Sequence, residues 1–139
     1  YSIFKKITMS NKLDIILAEI SVGELIDKIT ILEIKKKKIT DSKKLKDIKK
    51  ELSSLSNTFK QSVPDFSKIK LLIEKLKIVN LKLWDIEDGK RLAEKKSDFG
   101  EKFIELARNV YKINDERSKI KLEINNILNS NIKETKSHY

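Results

Sequence analysis

The sequence predicts an all-α fold: an antiparallel helical bundle of two unequal helical hairpins, about four helices, preceded by a short extended N-terminal segment. Three observations carry this reading. The 139 residues contain only 3 Gly and 1 Pro, so the turn every ten or so residues that a β-sandwich or barrel requires is not written. Apolar residues recur at steps of three and four over long stretches, the spacing of one helix face. A hydrophobic fraction of 39% beside a charged fraction of 37% lies between an ordinary globular domain and a coiled coil. The length suits one core.

Ser21-Val22-Gly23-Glu24 has capping-box spacing, so a first helix is expected from there to about Lys38, with Val22, Leu25, Ile26, Ile29 and Leu32 as its stripe. Thr40-Asp41-Ser42 offers the next N-cap. Leu45, Ile48, Leu52, Leu55 and Phe59 then form a heptad seam in a second helix from about Lys43 to Phe59. Pro64 marks a loop at 62–65, because proline breaks a helix interior. A third helix is expected from about Phe66 to Lys96, with Ile69, Leu72, Leu76, Val79, Leu83 and Ile86 on one face. Asp98 and Glu101 suggest a second capping box, opening a fourth helix to about Leu128. Helices three and four, each on the order of 45 Å long, make a hairpin turning near Ser97. The first two, roughly 27 Å each, cover part of it and leave apolar surface for a second copy, so a homodimer is expected.

Residues 1–20 read as a partly extended N-terminal extension, 21–128 as a single helical-bundle domain and 129–139 as a tail. Residues 1–8 precede Met9, the chain's 1 Met, and receive no structural weight. The segment Leu13 to Ile20 is β-like in composition and is expected either to pair near Ile132 or to pack as extended chain.

No stretch approaches the roughly 18 apolar residues of a membrane span, and no secretory pattern opens the chain, so a cytoplasmic location is expected. The absence of Cys removes thiolate metal sites and cysteine nucleophiles. The net charge of +10 comes almost wholly from Lys. Such Lys, Ile and Asn usage is what an AT-rich genome imposes, and it gives each retained Arg added interest, because Lys supplies charge without a fork.

A 100° wheel puts several polar groups in apolar stripes. Glu33 falls beside Ile26 and Ile29. Asn80, Glu87 and Arg91 fall in or beside the third helix's stripe, and Asn114, Arg117 and Lys121 in the fourth's. Burying such groups singly costs several kcal/mol, so they must pair, meet water or hold a ligand. In the hairpin register Arg117 lies level with Asn80, and Glu33 is expected to reach the same layer. The layer reads either as a polar lock on helix register or as a pocket for a polar or anionic small molecule.

Asp85 and Asp88, one helical turn apart, have the spacing of an acid–base or Mg²⁺ pair, but the acidic motifs of helical phosphohydrolases are missing. A di-iron bundle needs Glu-x-x-His, and the 1 His is His138. No metal, cofactor or catalytic set is therefore assigned, and the balance leans against an enzyme. Trp84 reads as core or as an interface anchor. The block from Lys35 to Lys50, including Lys36, Lys37, Lys38, Lys43 and Lys44, is the candidate phosphate contact, although it lacks the aromatics or Arg that single-strand binders add.

The stretches SVGELIDKITILEIK (Ser21 to Lys35), LWDIEDGKR (Leu83 to Arg91) and DFGEKFIELARNVYKINDERSKIKLEIN (Asp98 to Asn125) resemble a family of small uncharacterised bacterial proteins, a domain of unknown function. The resemblance runs from about Ile20 to the tail and is weakest over Asp41 to Lys77. It implies a discrete domain and no particular activity. It draws attention to Asp85, Glu87, Asp88, Arg91, Arg108, Asn114, Asp115 and Arg117. Arg108 and Asp115 point away from the seam and imply a second surface, grouped with Trp84, Asp85 and Asp88. Asn129 stands where the family pattern often has Gly, and Asn tolerates the left-handed C-cap conformation.

Three readings follow. The leading one is a non-enzymatic protein-interaction or self-associating module. The others are a nucleic-acid-associated protein using Lys35 to Lys50, and a small-molecule or anion binder, or an enzyme, using the polar layer.

Overall fold

The computed structural model describes residues 12–137. Four α-helices follow in order, α1 Val22–Lys38, α2 Ser42–Ser62, α3 Lys70–Lys95 and α4 Glu101–Ile127, with a 3-10 turn Ser67–Ile69 leading into α3. No strand occurs among the described residues.

Each boundary has a local cause. Ser21 caps α1 by accepting the Glu24 N–H, but Glu24 does not reach back to close the box, because its carboxylate pairs with Lys121 and Lys28. Asp41 caps α2 by accepting the N–H groups of Lys43 and Lys44, and those bonds hold its carboxyl below the usual carboxylate range. The expected second box does not form. Gly100 is the N-cap of α4, and Asp98 accepts the Gly100 N–H instead. Ser97 and Asn129 take left-handed φ values of 52° and 50°. Each follows a C-cap, and the next N–H bonds back to Ala93 or Asn125, which is the Schellman closure.

Helices α3 and α4 form the long hairpin, and α1 lies in the groove between them, touching both as well as α2. It runs parallel to α3: Ile26 shares the main core cluster with Ile69, Leu72, Leu76 and Ile124, and one turn on Thr30 meets Asn80. Helix α2 packs on α1, with Phe59 closing the core against Phe66 and Ile48 as its one buried residue. At 17 residues against 26, α1 spans about 25 Å beside roughly 39 Å of α3. The last turns of α3 and the first of α4 therefore project beyond it.

Before α1, the side chains of Leu13, Ile15, Ile16 and Leu17 are 79–89% exposed. The segment makes no strand and is not packed. Glu19 ties it to the tail, accepting from Asn131.

Candidate functional site

Helix α1 is buried on more than one side. Besides the apolar stripe it turns Gly23, Asp27 and Thr30 inward, three residues at steps of four and three that form a second stripe. Gly23 is required there: a Cβ would stand 2.6 Å from the Lys121 carbonyl oxygen and 2.9 Å from Asn125 Oδ1. This close approach brings α4 near enough for Arg117 to reach Asp27.

Asp27, 0% exposed, is the hub of the layer. Arg117 donates from Nε to Oδ1 at 2.9 Å and from Nη2 to Oδ2, the forked geometry of a strong guanidinium–carboxylate pair. Asn80 Nδ2 spends both hydrogens, donating to Asp27 Oδ1 at 2.9 Å and to Thr30 Oγ1 at 2.8 Å. The Thr30 hydroxyl donates to the Asp27 carbonyl at 2.8 Å. Lys121 stands 4.0 Å from Oδ2 while bonding Glu24, and Asn114 Oδ1 accepts from Arg117 Nη1 at 3.4 Å. The bonds to Asp27 push the Arg117 pKa up against the opposing effect of burial. No fully buried side-chain nitrogen or oxygen among the described residues lacks a partner, so the buried part of the layer is satisfied from within.

A second network closes the N-terminus of α1. The Val22 N–H donates to Ser130 Oγ at 3.1 Å and the Gly23 N–H to Asn125 Oδ1 at 2.7 Å. Glu134 from the tail accepts from Ser21 and from Asn125. Burial pushes the Glu134 carboxyl up, but the Ser21 bond, its own backbone N–H, Lys121 and Asn125 outweigh this, and its pKa lies below the usual value.

Beyond the layer, toward the C-terminal end of α1, an open cleft of about 450 Å³ lies between α1, α3 and α4. Its apolar wall is Ile31, Ile34, Leu83 and Trp84, and its polar lining is Asn80, Glu87, Asp88, Arg91 and Arg117.

The residues singled out in the sequence divide accordingly. Asn80, Asn114 and Arg117 meet in the layer. Glu87 and Arg91 lie on the cleft, with Glu87 held by Lys90 at 3.3 Å. Glu33 does not reach the layer; it pairs with Lys77 at 3.5 Å and stays partly exposed, because Asp27, two turns earlier, takes that place. The proposed second surface is not continuous. Trp84 and Asp88 line the cleft, Asp85 is exposed, Arg108 is exposed on α4, and Asp115 pairs with Lys136 of the tail. Lys35, Lys36, Lys37 and Lys38 occupy the last turn of α1, where positive charge complements the helix dipole, and Lys43 and Lys44 open α2 beneath the Asp41 cap. His138 and residues 1–8 lie outside the described residues. The sequence reading missed Asp27, Thr30, Asn125, Ser130 and Glu134. The signal for the first two was present, since Gly23, Asp27 and Thr30 are a helix face, but its first apolar residue is Ile34, so it does not read as an apolar stripe.

No helix among the described residues is long and apolar enough to cross a membrane. Comparison with curated proteins and with solved structures finds no match. A family model does match, over residues 16–139, and the chain accordingly belongs to that family, DUF6165, a family of unknown function.

Proposed function

We propose that the protein is a non-enzymatic, self-associating helical module whose partner is a second copy of the chain, docked on the projecting end of the α3–α4 hairpin. The observation that carries this is the apolar surface left where α1 ends. Leu92, Phe99, Ile104 and Tyr111 are 52%, 52%, 54% and 56% exposed, and Phe103, packed edge-to-face on Phe99 at 5.4 Å, is only half-buried. Several large apolar side chains exposed along one hairpin end are what an interaction surface requires.

Charge favours a second copy as the occupant. The chain carries +10, yet Asp85 to Lys112 holds seven acidic and seven basic residues, so the excess lies elsewhere. Two copies can meet at this end without net repulsion, and mixed charges around an apolar centre suit a two-fold, self-complementary contact.

Light-scattering mass across a concentration series tests the reading. The expected result is a dimer for the parent chain and a monomer, at the same concentration, for Leu92→Lys combined with Phe99→Lys. Leu17→Lys, on the still more exposed N-terminal segment, leaves the mass unchanged. A parent chain that stays monomeric at every concentration, or a double variant that stays dimeric, refutes it.

A further inference from the structure

The cleft beside the polar layer has a feature that self-association does not use. We infer that it is a binding site for a small amphipathic monocarboxylate, with the apolar body against Ile31, Ile34, Leu83 and Trp84 and the carboxylate on Arg91.

Size and lining come first. About 450 Å³ falls within the roughly 300–1,000 Å³ of small-molecule sites, which are mostly apolar with a few placed polar groups. Three helices supply the walls, and two of them are fixed against the third by the Asp27–Arg117–Asn80 lock at the inner end, so the cleft is held in shape before any ligand arrives.

The charges select the class. Glu87 is engaged by Lys90, and Arg117 has committed Nε and Nη2 to Asp27. Arg91 is exposed and stands in no ion pair among the described residues. It is the lining cation free to accept an anion, and its planar fork matches a carboxylate. Asp88, also on the cleft, opposes accumulation of negative charge, which disfavours phosphate dianions relative to a single carboxylate. The retained Arg is pertinent in a chain that otherwise writes Lys for positive charge.

Trp84 is the chain's 1 Trp, so its emission reports on the cleft alone. The full chain is titrated, below micelle-forming concentrations, with octanoate and with octylammonium, two probes of equal length and opposite charge. Octanoate is expected to change Trp84 emission saturably and octylammonium to do so at least tenfold more weakly. Arg91→Glu, an exposed substitution that leaves the helical signal intact, is expected to weaken octanoate at least tenfold and to improve octylammonium. Arg108→Glu, the same charge change elsewhere on the surface, is expected to leave the octanoate titration unaltered. Three results overturn the inference: no saturable response to octanoate, equal response to both probes, or equal loss with Arg91→Glu and Arg108→Glu. Mass is read in parallel, so loss of the site and loss of the dimer are separate outcomes.

Discussion

At the scale of single residues, two side chains of one ion pair are not equivalent. The Asp27 side chain is 1% exposed and that of Arg117 is 27% exposed. Removing the guanidinium strands a buried carboxylate, whereas removing the carboxylate leaves a cation that can turn toward water. Arg117→Leu is therefore expected to cost about 3–5 kcal/mol, and Asp27→Asn less, as read from urea midpoints at constant m. A stabilised Arg117→Leu would remove the lock from the account. The two helical glycines make a second contrast. Gly23→Ala drives a methyl into the backbone of Lys121 and is expected to cost about 1–3 kcal/mol. At Gly89 the added Cβ would meet only the Leu106 side chain, at 3.2 Å. There the gain in helix propensity, about 0.5–1 kcal/mol, offsets the contact, and Gly89→Ala is expected to be neutral or slightly stabilising by the same measurement. Ser97, left-handed with φ 52°, is expected to gain about 1 kcal/mol as Ser97→Gly; a loss in thermal midpoint would contradict this.

Elements of the fold are held by groups far away in sequence. The start of α1 is capped by Asn125, Ser130 and, through Ser21, by Glu134. Because the Glu134 pKa is lowered on folding, its stabilising effect is full above the ordinary Glu value of about 4.3. It is lost as pH falls through the lowered folded value. Acidification below the ordinary value should release the tail first, seen as faster exchange of the Val22 and Gly23 amides, and Glu134→Gln should flatten that pH dependence. Unaltered pH dependence in the variant would show that the tail is held by something else. Capping also shows how far a local pattern can be trusted: Ser21 and Asp41 cap as their spacing suggests, while Asp98 turns to Gly100 because the loop geometry puts Gly100 at the N-cap.

For the whole molecule, α1 is the keystone, since it alone touches all the others, and α2 rests on α1 with one buried residue. Stability should be uneven as a consequence. Native-state hydrogen exchange is expected to show the α2 amides opening at least tenfold more readily than those of α3 around Leu76. Equal protection would mean that α2 belongs to the same cooperative unit as the core.

The sequence by itself determined the helices, their order and the long hairpin, because 3.6-residue periodicity, caps and a single proline act over a few neighbours. It also placed Asn80, Asn114 and Arg117 in one layer, since hairpin register follows from loop position. Only the tertiary structure decided which acid meets Arg117. Glu33 sits beside the apolar stripe and Asp27 on a face whose apolar member is Ile34, yet α1 is packed on three sides, so a single-stripe criterion selects the wrong one. The Gly23 contact, the tail clamp and the cleft at Trp84 likewise depend on distances between helices, and no local pattern encodes these.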